Sequence, residues 1–153
     1  GVQLAYIKDT YGLSFSASHN ENVTAGTTNL SAGETDVRAL NAFFVPSLDG
    51  FPSISLGYEW ADDNSIADSA ADETTHSFIG LQFDELGNGS FGVALGTKAP
   101  TIENADSEYM WEAYYSYNYA DGMTITPIIY VKENAAANTD DETGIIVKTS
   151  FSF

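Results

Sequence analysis

Tyr11-Gly12-Leu13-Ser14-Phe15-Ser16-Ala17-Ser18 alternates without a break between apolar residues and glycine or serine. Period-two alternation sends successive side chains to opposite sides of an extended chain, so this octet predicts a β-strand with Tyr11, Leu13, Phe15 and Ala17 on one face. The same division recurs along the chain. Phe91, Val93 and Leu95 oppose Gly92, Ala94 and Gly96, and Ile54, Leu56, Tyr58 and Trp60 oppose Ser53, Ser55, Gly57 and Glu59. Near the end, Ile145, Val147, Thr149, Phe151 and Phe153 oppose Gly144, Lys148, Ser150 and Ser152. Nine strands are predicted, over residues 2–8, 11–19, 37–46, 51–61, 75–84, 90–98, 108–119, 123–132 and 143–153. The third cannot be faced from its sequence, because Phe43, Phe44 and Val45 are apolar in succession.

The connections alternate in length. Short turns fall at Asp9-Thr10 and at residues 47–50, 85–89 and 120–122, with the Asp-Gly and Asn-Gly chemistry of tight hairpins. Long polar loops fall at 20–36, 62–74, 99–107 and 133–142. Hairpin-like connections throughout imply an antiparallel meander with all short turns at one end and all long loops at the other. That asymmetry belongs to transmembrane β-barrels of the outer-membrane type. The fold expected is therefore all-β, about nine strands of a larger, roughly 16-stranded barrel.

Charge follows the same partition. The 153 residues hold 22 Asp and Glu against 5 Lys and Arg, a formal charge of −17. Such a balance argues against a nucleic-acid partner, which needs a basic face. Of the acids, 15 fall in or at the edge of the four long loops. They are Glu21, Glu34 and Asp36 in the first; Asp62, Asp63, Asp68, Asp72 and Glu73 in the second; Glu103, Asp106 and Glu108 in the third; and Glu133, Asp140, Asp141 and Glu142 in the fourth. On a barrel they form an acidic pore mouth, for which Asp62, Asp63, Asp72, Glu73, Asp140, Asp141 and Glu142 are the leading candidates. Strand parity puts Glu59, Asp84, Lys98, Glu112 and Lys148 on the lumen side, with His76 at the lumen or rim. Tyr6, Tyr11, Trp60, Tyr109, Trp111, Tyr119 and Phe153 suit interfacial girdles.

Other classes find little support. The 20 aromatics are too many for a disordered acidic tail. No cysteine is present, so there is no disulfide framework, thiolate metal site or cysteine nucleophile. Apolar runs extend only a few residues, far short of the roughly 18 a helical span needs. No Gly-x-Ser-x-Gly elbow places a serine nucleophile, and the expectation is a protein that is not an enzyme and takes no cofactor. Asp62-Asp63-Asn64 and Asp140-Asp141-Glu142 lack the spacing and glycine of an EF-hand loop, so solvated acidic loops are expected there in place of metal sites. A soluble, secreted β-sandwich acting as a binding or adhesin module shares the strand rhythm, but would bury its apolar faces against a second sheet. A small closed barrel would carry bulky lumen residues or a ladder from first strand to last.

The turn Ala120-Asp121-Gly122, the strand Met123-Thr124-Ile125-Thr126-Pro127 and the closing run from Thr143 to Phe153 resemble the C-terminal end of cyanobacterial-type porins. That family is related to the carbohydrate-selective porins and is often labelled iron-uptake porin. The likeness covers roughly the last 35 residues. It implies an outer-membrane channel for small hydrophilic solutes (sugars, inorganic ions or iron species), contacts with outer-membrane lipid and lipopolysaccharide, and a homotrimer. It further implies that Ile145, Val147, Phe151 and Phe153 form the signal read by the barrel-assembly machinery. Members of the family carry a signal peptide and an S-layer homology domain ahead of the barrel. Neither is read here, since Gly1 and the alternating residues 2–8 lack a basic segment followed by an apolar core. The chain is accordingly expected to be the C-terminal portion of a porin barrel over residues 1–153, with at least one strand upstream of it. The acidic mouth implies a cation-preferring, ungated diffusion pore.

Overall fold

A computed structural model of the chain describes residues 1–25, 30–63, 72–98, 107–134 and 140–152, with side chains described throughout except at 22–25 and 30–33. Asp68, Glu103, Asp106 and Phe153 lie outside the described residues. Nine strands follow in chain order: β1 (Val2–Ile7), β2 (Tyr11–Ala25), β3 (Leu30–Phe44), β4 (Ser53–Asp63), β5 (Glu73–Phe83), β6 (Gly89–Lys98), β7 (Glu108–Ala120), β8 (Met123–Lys132) and β9 (Glu142–Phe151). They form one antiparallel sheet in sequential order, a meander with no crossover. No helix occurs among the described residues. The sheet is open, since no ladder and no contact joins β1 to β9.

Local chemistry explains the connections. At the β7–β8 turn Gly122 takes a φ of 74°, a left-handed conformation that glycine reaches without a Cβ penalty. Gly50 does the same in the β3–β4 turn, with a φ of 79°. Lys8 N–H donating to Tyr11 O at 2.8 Å closes the β1–β2 turn, and Ser152 N–H, just past β9, donates to Gly122 O at 2.8 Å and ties the β7–β8 turn to the neighbouring strand.

The strand bounds differ from the sequence expectation chiefly in β2 and β3. Residues 20–36 read as a loop because polar residues predominate in their sequence. The backbone ladder nevertheless continues through Asn20↔Thr35 and Glu21↔Glu34 to Ala25↔Leu30. A hairpin ladder is held by main-chain N–H and C=O groups, which pair whether or not the side chains alternate. Three acids assigned to the first loop, Glu21, Glu34 and Asp36, therefore stand on strands.

Register assigns the two faces. One row crosses all nine strands as Tyr6, Leu13, Ala42, Leu56, Ile79, Leu95, Trp111, Val131 and Thr143. The row beside it on the opposite face runs Ala5, Ser14, Asn41, Gly57, Phe78, Gly96, Met110, Lys132 and Glu142. Phe44 belongs to the apolar face, level with Tyr11 and Ile54, and Phe43 to the polar face, level with Gly12 and Ser55. The third strand is thereby faced.

Among the described residues no core lies beneath this sheet. No large side chain among them is fully buried, while Leu4 is 68% exposed, Ile145 75% and Val147 64%. Aromatics gather at both ends of the apolar face. Phe15, Tyr58 and Trp60 cluster toward the long loops, with ring centroids 6.5 Å (Phe15–Trp60) and 5.7 Å (Tyr58–Trp60) apart. Toward the short turns lie Tyr6–Tyr11 at 6.1 Å, Phe83–Phe91 at 6.1 Å and the stacked pair Tyr115–Tyr117 at 6.4 Å. Leu56, Ile79, Leu95 and Val131 fill the band between.

Candidate functional site

The polar face is rich in glycine, alanine, serine and threonine, interrupted by a few charges and by larger side chains such as Phe43, Phe78, Tyr114 and Tyr130. Glu59 (β4) stands between Ala39 and His76, and Glu112 (β7) between Ala94 and Tyr130. Lys98 (β6) donates to Glu108 Oε2 at 2.9 Å, and Glu108 is the better shielded of the two, 16% exposed against 40%. Lys132 (β8) approaches Glu142 Oε2 at 4.0 Å, and the Tyr130 hydroxyl donates to Glu142 Oε1 at 3.3 Å. Lys148 (β9) stands opposite Thr126, whose hydroxyl donates to Ser116 Oγ at 3.1 Å. Asp84 begins the β5–β6 turn and accepts from Gln82 Nε2 at 2.7 Å, which holds its carboxylate on the polar side. The structure therefore brings Glu59, Asp84, Lys98, Glu112 and Lys148 to one face, together with His76.

The candidate mouth residues divide between the faces. Asp62 shares the apolar side with Asp36 and Glu73, above Trp60, and Arg38 Nη1 lies 4.0 Å from its Oδ2. Asp63, one residue on, stands opposite Thr35 on the polar side, and its N–H donates to Asp72 O at 2.7 Å. Asp72 Oδ1 in turn accepts from Glu73 N–H at 2.9 Å. On the last hairpin Asp141 Oδ1 accepts from Asn134 N–H at 3.2 Å, Asp140 is exposed, and Glu142 lies on the polar face. His19 belongs to the apolar side beyond the apolar band. Its Nδ1 is 2.9 Å from Asp36 Oδ1 and its Nε2 3.6 Å from Glu21 Oε1, and Asp36 foremost, then Glu21 and Glu34, raises its pKa. Ile145, Val147 and Phe151 all stand exposed on the apolar face of β9.

Sequence reading missed how the larger polar-face side chains are accommodated. Phe43 lies over Gly12, Phe78 over Gly57, Tyr114 over Gly92 and Tyr130 over Gly144, each ring filling the place of the missing side chain. The signal was present as a glycine on one strand with an aromatic at its register partner. Reading it requires the register.

Among the described residues these features define an open antiparallel meander with one uncovered apolar face and one face of small and polar residues, a few charges and rings seated on glycines. No family model, curated protein or solved structure matches the chain.

Proposed function

We propose that the chain forms wall of an outer-membrane diffusion channel, with its apolar face toward lipid and its polar face toward a water-filled lumen. One observation carries this reading. Among the described residues every strand contributes to a continuous apolar surface that no second sheet or helix covers, while no large side chain is fully buried. Monomeric soluble proteins rarely expose contiguous apolar patches beyond a few hundred Å². Hydrocarbon removes that penalty, and the aromatic groups at both ends of the band fit the two interfaces of a bilayer. A β-sandwich binding module would place a second sheet on this face, and all nine strands lie in the one sheet.

The many small residues of the polar face, with Phe43, Phe78, Tyr114 and Tyr130 each laid over a neighbouring glycine, favour a wide barrel, since narrow ones of about eight strands fill their interiors with side chains. The open β1 and β9 edges favour further strands on either side. Transport is then passive diffusion of small hydrophilic solutes and ions, as the likeness of residues 120–153 to porins implies. Net charge and the carboxylates at the long-loop end support a preference for cations, because fixed negative charge raises the local cation concentration. The exposed apolar residues of β9 support recognition by barrel-assembly machinery, and a trimer in lipopolysaccharide-containing membrane completes the proposal.

The test is electrical. The complete protein, extracted with detergent and inserted in a planar bilayer, should conduct and show a cation-selective reversal potential in a salt gradient. A protein that remains a soluble monomer in detergent-free buffer overturns the membrane reading. Chloride preference overturns the cation assignment.

A further inference from the structure

On the polar face a hydrogen-bonded chain crosses three strands near the short turns. Tyr114 on β7 stands opposite Gly92 on β6, which stands opposite Gln82 on β5. The Tyr114 ring occupies the place of a side chain at Gly92, so it lies across β6 and its hydroxyl reaches β5. There the phenol donates to Gln82 Oε1 at 2.9 Å. With the amide oxygen engaged as acceptor, its nitrogen is left to donate, and it does so to Asp84 Oδ1 at 2.7 Å. That second bond is charge-assisted, the stronger kind. Ser53 Oγ donates to Gln82 O at 3.3 Å and ties the same residue to β4.

We propose that Tyr114 and Gln82 are positioning residues that hold the Asp84 carboxylate over the polar face, making Asp84 a determinant of ion selectivity at the end of the channel opposite the acidic loops. This rests on the channel reading above. At the long-loop end the polar-face carboxylates Glu108 and Glu142 already face Lys98 at 2.9 Å and Lys132 at 4.0 Å, so much of their field is cancelled locally. Asp84 has no such partner: among the described residues no cation lies within ion-pair distance of it. One step past the Phe83–Phe91 pair brings Asp84 level with Ser90, and the row continues through Ser116 and Thr126 to Lys148. Four strand spacings separate Asp84 from that lysine, about 19 Å. This is more than twice the Debye length of about 8 Å at physiological ionic strength. A carboxylate held by a neutral side-chain chain stays at a fixed place, whereas a free exposed one samples many rotamers.

Reversal potentials of the complete protein in a planar bilayer, under a KCl gradient, test the assignment. Asp84→Asn should lower the cation-to-anion permeability ratio by about twofold or more. Tyr114→Phe keeps the ring and removes the hydroxyl, and Gln82→Leu breaks the chain without changing charge. Each should lower the ratio in the same direction by less, and neither should have any effect when Asp84 is already asparagine. A conducting Asp84→Asn channel with unchanged ratio overturns the assignment. Equal effects of Tyr114→Phe with and without the Asp84 charge overturn the positioning role. A complete protein that inserts but conducts nothing overturns the channel reading itself, a result distinct from a conducting channel of unaltered selectivity.

Discussion

The Phe78 ring on β5 occupies the volume that a side chain at Gly57 on β4 would need. Three further pairs repeat the arrangement, Phe43 with Gly12, Tyr114 with Gly92 and Tyr130 with Gly144, each across the two strands of one hairpin. A strand glycine is weak in isolation, and a cross-strand ring restores the lost contacts. Gly57→Ala must displace the ring and should cost about 1–3 kcal/mol. Gly80→Ala is the matched control, because a Cβ there meets only Ser55 Cβ, at 3.9 Å. It should be neutral or stabilising by about 0.5–1 kcal/mol. Urea unfolding of the two variants from detergent micelles separates the cases, and equal midpoints would refute the pairing argument.

The two faces should respond oppositely to charge. Ile79 sits in the middle of the apolar band, between Leu56 and Leu95. Ile79→Arg should therefore destabilise the membrane-inserted protein by about 2–4 kcal/mol. Ser55→Arg, on the opposite face beside Phe43 and Gly80, should cost well under half of that. Folding titrations into lipid vesicles measure both, and a cost for Ser55→Arg matching that of Ile79→Arg would count against the facing.

His19 should titrate above the ordinary histidine value of about 6.5. The Asp36 carboxylate bonded to its Nδ1 favours the charged ring, and Glu21 and Glu34 add to the effect. A raised folded-state pKa gives stability that is fully present below the unfolded value and is lost as pH rises through the folded one. The side chain is exposed, so the contribution is small and salt-sensitive. An NMR titration of the ring should show the raised pKa, and Asp36→Asn should bring it down. A midpoint at or below the ordinary value contradicts the geometry.

Glu85, in the turn after Asp84, has a φ of 58°. For a residue with a Cβ this left-handed conformation costs about 1–2 kcal/mol. Glu85→Gly removes the strain but adds freedom to the unfolded chain, so the net gain should be at most about 1 kcal/mol. Glu85→Val should lose stability, since a β-branched residue fits this region worst. Denaturation midpoints ordered Gly, Glu, Val from high to low are expected.

Period two made most strands legible because one face is apolar and the other small, as at Tyr11 to Ser18 or Phe91 to Gly96. It failed where that contrast disappears. Phe43, Phe44 and Val45 are all apolar, and what sends Phe43 to the polar side is the space above Gly12, on another strand. Residues 20–25 and 30–36 are mostly polar in sequence, so a paired strand and a loop share one composition there. Parity did place the polar-face charges, Glu59, Lys98, Glu112 and Lys148 among them. The candidate mouth carboxylates are neighbours in sequence, yet adjacent residues of a strand face opposite ways, and Asp62 and Asp63 part for that reason. Gln82 and Tyr114 carried no local signal, because their link to Asp84 runs across three strands.

The length of the β2–β3 ladder has a consequence for what meets this surface. Its last pair with β4 is Thr35↔Asp63, and five further β2–β3 pairs follow, ending at Ala25↔Leu30. At about 3.4 Å per residue the hairpin runs on for roughly 17 Å past its neighbour. Among the described residues it stands as a two-stranded mast beyond the neighbouring strands, so a large body approaching that end of the sheet meets it first.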